Sequence, residues 1–209
     1  MMSSNRTASQ LSPLVFLLIC ASVLHASLGI VVKKGPTAPE IISHKEFTDA
    51  LSKVWSESYI GNGVYQIRGG WVYADPKDPQ KISISFAPKT LSNPGTVKDV
   101  VANPESVEIK LDNPDKYSEA QVKMGYKVVG DFHTHPFPHV YQFPGDDDRV
   151  RAYDRGVPAV VLSCTGIIYY GPDHRANLLL GPSGYPGGNE KYTNQKDHIY
   201  GPNPFPCYK

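Results

Sequence analysis

Residues 128–148 read VVGDFHTHPFPHVYQFPGDDD, and the reading of this stretch decides what the rest of the chain must build. Tyr126 to Phe132 is apolar apart from Lys127, Gly130 and Asp131, which predicts a strand running into His133-Thr134-His135 and stopped by Pro136. Successive strand side chains point to opposite faces, so His133 and His135 project to one side with a single residue between them. Two imidazoles fixed on one face of a strand end form half of a zinc site. The acidic run Asp146-Asp147-Asp148, entered through Pro144-Gly145, offers a third ligand. Neutral nitrogen plus carboxylate oxygen suits a borderline cation such as Zn²⁺, with one coordination position left for water.

Outward from that stretch, Ser43-His44-Lys45-Glu46 has the spacing of a capping box and predicts a helix start. Phe47, Ala50, Leu51, Val54 and Trp55 then make one apolar helical face, ended by Gly61-Asn62-Gly63. Val64 to Tyr73 and Lys81 to Phe86 read as strands joined through Asp75-Pro76-Lys77-Asp78-Pro79. Ala87 to Glu105 carries several turn formers and is expected as an irregular loop, followed by a strand with alternating burial at Val107–Leu111. Tyr117 to Met124 is expected as a helix leading into the histidine strand. Asp147 to Arg155 should be a short helix with acids in its first turn. Ala159–Ser163 and Ile167–Tyr170 read as a strand pair across a tight turn, and Ala176–Leu180 as an edge strand. Interleaved strands and helices imply an α/β domain with a mixed sheet flanked by helices.

Residues 1–29 read as a signal peptide: Arg6 is their one charged side chain, Leu14–Leu24 is too short to span a bilayer, and Ser27-Leu28-Gly29 supplies small residues for cleavage. The whole chain holds 21 Lys+Arg against 20 Asp+Glu, and losing Arg6 balances them. A neutral mature chain argues against nucleic acid or an anionic membrane as partner. The expected product is a secreted, extracellular monomer with one domain over residues 30–180 and a Gly/Pro/Tyr-rich tail over 181–209 lying on it as a loop. Cys20 leaves with the signal, and in an oxidising route Cys164 and Cys207 are expected to pair.

Gly130-x-x-His133-Thr134-His135-Pro136 followed by Pro144-Gly145-x-x-Asp148 resembles the JAMM (MPN/JAB) metalloprotease signature, His-Ser/Thr-His-Pro and then Ser-x-x-Asp. It is most similar to the JAB-like domains of bacterial Rhs-type and other polymorphic toxins. There a Gly-Gly-hydrophobic-Tyr strand, here Gly69-Gly70-Trp71-Val72-Tyr73, precedes the histidines and a Gly-Val-Pro strand, here Gly156-Val157-Pro158, follows. The similarity spans residues 40–180. It implies a deaminase-like sandwich, zinc held by His133, His135 and Asp148, and hydrolysis of a peptide or isopeptide bond in a protein or peptide substrate. Placing the signature one residue earlier gives Asp147 as the ligand instead.

The chain departs from that pattern at two positions. The family's glutamate base falls on Ile67 or, with a one-residue slip, on Gln66, and its serine donor falls on Gly145. Ile67 cannot move a proton, and Gln66 can at best orient water. Asp131 shares the strand face of the histidines and is a second candidate for a catalytic or orienting role. Glu57, at the end of the first helix, reads as a solvated surface charge. Three readings follow: a zinc peptidase or isopeptidase with altered base chemistry, a catalytically inactive binding module or effector on the same fold, and a structural extracellular protein whose His133, His135 and His139 bind metal adventitiously.

Overall fold

The computed structural model describes residues 35–171 and 197–208. The expected signal peptide, the Ala176–Leu180 strand and most of the tail lie outside them. In chain order the described elements are α1 (Ala38–Ser43), α2 (Lys45–Ser56), β1 (Tyr59–Gly61), β2 (Val64–Gln66), β3 (Gly69–Asp75), β4 (Asp78–Phe86), β5 (Pro94–Gly95) and α3 (Val97–Ala102). There follow α4 (Pro114–Tyr117), α5 (Glu119–Lys123), β6 (Lys127–His135), α6 (Asp146–Arg155), β7 (Ala159–Ser163), β8 (Ile167–Tyr170) and β9 (His198–Gly201). Among these residues no helix is long and apolar enough to cross a membrane.

The strands form a mixed six-stranded sheet ordered β4-β3-β6-β7-β8-β9 and a small antiparallel sheet ordered β1-β2-β5. The parallel pair is β6 and β7, with α6 in the connection between them; the other neighbours are antiparallel. The α/β class with a helix-flanked mixed sheet is therefore the architecture of the chain. Strand β6 lies at its centre, and every residue from Val128 to His135 is buried. Both of its faces are covered, which is why the sequence there runs apolar instead of alternating.

One face of the sheet packs against α2. Phe47, Leu51, Val54 and Trp55 meet Val72, Phe132, Val160 and Leu162 in a single cluster. The other face holds Trp71 and Tyr73 beneath Val100, Val107, Ile109 and Leu111. There Ala152 of α6 also meets Ala159, Val161 and Tyr170.

Several local expectations change. The capping box belongs to α1, where Thr37 and Glu40 cap each other, whereas His44 before α2 makes no side-chain cap bond. The segment 87–105 is more regular than its turn formers imply, because Thr96 and Asp99 form a second capping box that starts α3. Val107, Ile109 and Leu111 are buried alternately, but the segment is not a strand. Its backbone bonds go elsewhere: Lys110 N–H donates to Leu91 O, and Leu111 O accepts from Trp71 Nε1. Val107 closes a 3-10 turn and residues 108–111 are irregular, so period-two burial there reports one side of a non-strand segment lying on a core. The expected helix over 117–124 is broken at Ser118, which leaves α4 and α5 and donates its hydroxyl to Ser85 Oγ.

The C-terminal end is not a loop throughout. β9 pairs with β8, Asn203 Nδ2 donates to Ser163 O at 2.8 Å, and Trp55 Nε1 donates to Pro206 O at 3.1 Å. Tyr208 lies between the rings of Trp55 and Tyr59, so aromatic stacking fastens what composition alone leaves as tail. A disulfide joins Cys164 to Cys207 with a Cα–Cα distance of 5.5 Å and closes a 43-residue separation. Closing a loop of that length removes unfolded-state entropy equivalent to about 4 kcal/mol.

Candidate metal centre

The centre is assembled where the C-terminal end of β6 meets the first turn of α6. Strand alternation places Asp131, His133 and His135 on the face that α6 covers, and Phe132 and Thr134 on the α2 face. Gly69 lies opposite His133 across the β3–β6 ladder, and a Cβ there would collide with Phe132 O and His133 Cβ. The glycine lets β3 approach the ligand strand. Asp148 is brought in by the capping turn of α6, where Gly145 N–H donates to its Oδ2 at 2.8 Å.

Three buried donor atoms converge. His133 Nε2 and His135 Nε2 are 3.0 Å apart, His133 Nε2 is 3.6 Å from Asp148 Oδ1, and His135 Nε2 is 3.7 Å from Asp148 Oδ2. Ligands about 2.0–2.1 Å from a tetrahedral zinc lie roughly 3.3–3.4 Å from each other. The observed separations lie near that value, and with one ligand atom from each residue all three atoms lie within 4.8 Å of one another, so these side chains could hold a metal ion. The carboxylate that joins the two histidines is that of Asp148; Asp147 is exposed and outside the group.

The charge states also suit a cation. Burial, together with neighbouring His133, lowers the His135 pKa to about 3, so its imidazole is neutral at physiological pH. Burial opposes ionisation of Asp148, but the adjacent His133 and His135 outweigh it and hold the carboxyl below its ordinary range. A neutral imidazole at His135 and a carboxylate at Asp148 are the forms in which these two groups ligate. His133 Nδ1 is buried without a hydrogen-bond partner among the described residues. A metal-ligating histidine is usually oriented through its second nitrogen; the backbone of Tyr141 and Phe143 lies close enough to His135 to raise its pKa against the effect of burial, and the Tyr141 ring stacks on it at 4.1 Å and 20°.

The two candidates for proton transfer have other commitments. Gln66 Nε2 donates to Lys89 O and Ser92 O, both at 2.8 Å, and β2 belongs to the small sheet. Ile67 is buried in the apolar cluster on the histidine face. Asp131 does lie beside the centre, lining a small cavity with His133, Asp148, Arg151, Arg155 and Tyr170. Its Oδ2 accepts from Arg155 Nη1 at 2.6 Å, and Arg155 Nη2 also binds Asp112 at 3.0 Å. Asp131 is thus half of a buried ion pair. Glu57 is not a solvated surface charge: it pairs with Arg68 at 3.0 Å, and that arginine is buried.

Sequence reasoning passed over Tyr141, Arg151 and Arg155. The two arginines were legible from periodicity, since positions 148, 151 and 155 share one face of a helix. Arg151 pairs with Glu108 and so ties α6 to the 107–111 segment. Tyr141 had no pattern to announce it, because its place depends on a loop residue with φ 53°. Burial, then the charge of Asp148, raises its pKa, so the phenol stays protonated. A cleft of about 320 Å³ is lined in part by Glu105, Glu108, Tyr141, Gly145, Asp146 and Asp147; it shares Tyr141 and the start of α6 with the centre, while His133 and Asp148 line the separate small cavity beside Asp131. Neither a protein-family profile nor a curated protein sequence matches this chain.

Proposed function

We propose that this chain is a secreted zinc-dependent hydrolase of peptide or isopeptide bonds, slow in turnover, built on a JAMM-like sandwich. The observation that carries the reading is the convergence of His133, His135 and Asp148 into one buried group able to hold a metal ion. Zinc bound there supplies Lewis acidity and lowers the pKa of water to about 7. His133 and His135 supply neutral nitrogens from a rigid central strand. Asp148 supplies the anionic oxygen and is fixed by the Gly145 N–H. The acidic rim of the cleft, with Asp146 and Asp147 exposed, favours substrates carrying basic side chains near the scissile bond.

Turnover is slow on this reading because neither candidate position for the base can take a proton from water. Ile67 is apolar, and Asp131 is held by Arg155. The same observation favours a second reading, a metal-binding module or effector that recognises a partner without cleaving it.

Metal analysis of the purified protein beside turnover of a peptide and isopeptide panel separates the two. One equivalent of zinc with turnover supports the hydrolase; one equivalent without turnover supports the binding module. Protein that takes up no divalent metal after incubation with zinc refutes both.

A further inference from the structure

We infer that the Tyr141 hydroxyl is the hydrogen-bond donor this centre offers to the oxygen of a carbonyl bound in the cleft. The inference rests on the metallohydrolase reading and assigns one part of it to a specific atom. Tyr141 is in contact with a ligand, since its ring stacks on His135 at 4.1 Å. It also lines the cleft where a substrate would lie. Its oxygen and Asp148 Oδ2 border the same point in space: a Cβ built on Gly145 would be 3.3 Å from the first and 3.5 Å from the second. The phenol oxygen therefore stands beside the carboxylate ligand, on the side where Gly145 leaves room.

Two features separate this role from simple packing. The residue is held at φ 53°, a left-handed conformation that a bulky side chain rarely adopts. The loop around it is fastened by Gln142, whose amide nitrogen donates to Phe137 O and Val140 O and whose Oε1 accepts from Thr165 N–H. Among the described residues the Tyr141 hydroxyl has no hydrogen-bond partner, although the ring below it is well packed. A strained, anchored loop that carries a hydroxyl next to Asp148, with no partner among the described residues, is organised toward something that enters from the cleft. In amide hydrolysis the carbonyl oxygen gains negative charge, and a fixed neutral O–H stabilises it without adding to the charge of the acidic rim.

The test uses cobalt(II)-loaded full-length protein, whose visible absorption reports metal occupancy, titrated with acetohydroxamic acid as a small carbonyl probe. Tyr141→Phe keeps the stacking ring and removes the hydroxyl alone. Its cobalt affinity should stay within about twofold of wild type while the probe binds at least about tenfold more weakly, the scale of one lost donor at such a site. Adding Gly145→Ser to that variant places a hydroxyl in the vacated space and should return probe affinity to within about threefold of wild type. Equal probe affinity in wild type and Tyr141→Phe overturns the assignment and leaves the metal centre standing. Wild-type protein that binds no cobalt removes the metal centre itself, and the assignment with it.

Discussion

The two faces of β6 are built from alternate residues of one strand and meet opposite demands. On the α2 side Phe132 is fully buried, edge-on to Phe47 at 5.3 Å and to Phe86 at 6.4 Å. Thr134 on that side is also fully satisfied. Its Oγ1 accepts from Arg68 N–H at 3.0 Å and shares a 2.7 Å hydrogen bond with Ser58 Oγ. On the α6 side His133 and His135 turn their Nε2 atoms toward each other, and His133 Nδ1 is buried without a hydrogen-bond partner among the described residues. Burying polar groups unsatisfied costs stability unless something is gained. One face therefore fastens the strand in place, and the other spends part of that stability on a preformed ligand set.

Neighbouring substitutions on β6 should accordingly fail in different ways. Phe132→Ala should have the largest effect on folding, about 3–5 kcal/mol in urea denaturation, because it opens a cavity at the centre of the main core. The fraction that remains folded should keep its zinc affinity. His133→Ala should do the reverse, losing at least about 100-fold in zinc affinity by competition with a chelator dye, since two protein ligands hold zinc poorly. Its urea midpoint without metal should move much less than that of Phe132→Ala. If the two variants lost stability and zinc in parallel, the division of labour between the faces would be wrong.

A smaller effect should come from Thr134→Val, which keeps the volume and removes the hydroxyl. Arg68 N–H and Ser58 Oγ would each lose a buried bond, a loss of about 1–3 kcal/mol by urea denaturation. The two bonds tie β3 and the end of α2 to the ligand strand, so the variant should also weaken zinc binding modestly.

The sequence was most informative where one local rule acted alone. The strand ending in His133-Thr134-His135, the apolar face of α2 and the acidic start of α6 follow from periodicity, and the structure places them as read. The choice between Asp147 and Asp148 needed the angle at which α6 leaves Gly145, which no periodicity carries. The 107–111 segment misled because alternating burial does not say where backbone bonds go. The end of the tail misled because the rings that hold Tyr208, those of Trp55 and Tyr59, are more than a hundred residues away in sequence. Tyr141 was invisible for a related reason: its proximity to His135 is set by the path of the loop between the second and third ligands.

The finest distinction between the faces is their response to acid. Among the resolved shifts on β6, the histidine face carries the titrating group, His135. Its ordinary value of 6.5 falls to about 3 in the folded protein, through burial and the nearness of His133. Between those values the unfolded chain binds a proton that the folded one refuses. Stability in the presence of a chelator should therefore decline as pH drops below about 6.5, by up to about 1.4 kcal/mol per pH unit for one proton. Asp148 adds to this only at lower pH. Its folded pKa lies below the ordinary 3.8, so its contribution is present above that value and is lost as pH falls through the folded one. Urea midpoints of chelated protein at pH 7.5, 6.5, 5.5 and 4.5 should be level between the first two and then fall, and His135→Phe, which keeps the contact with Tyr141, should flatten the descent. A midpoint that stays level from pH 7.5 to 4.5 in the wild type would mean that His135 is not buried as a neutral imidazole.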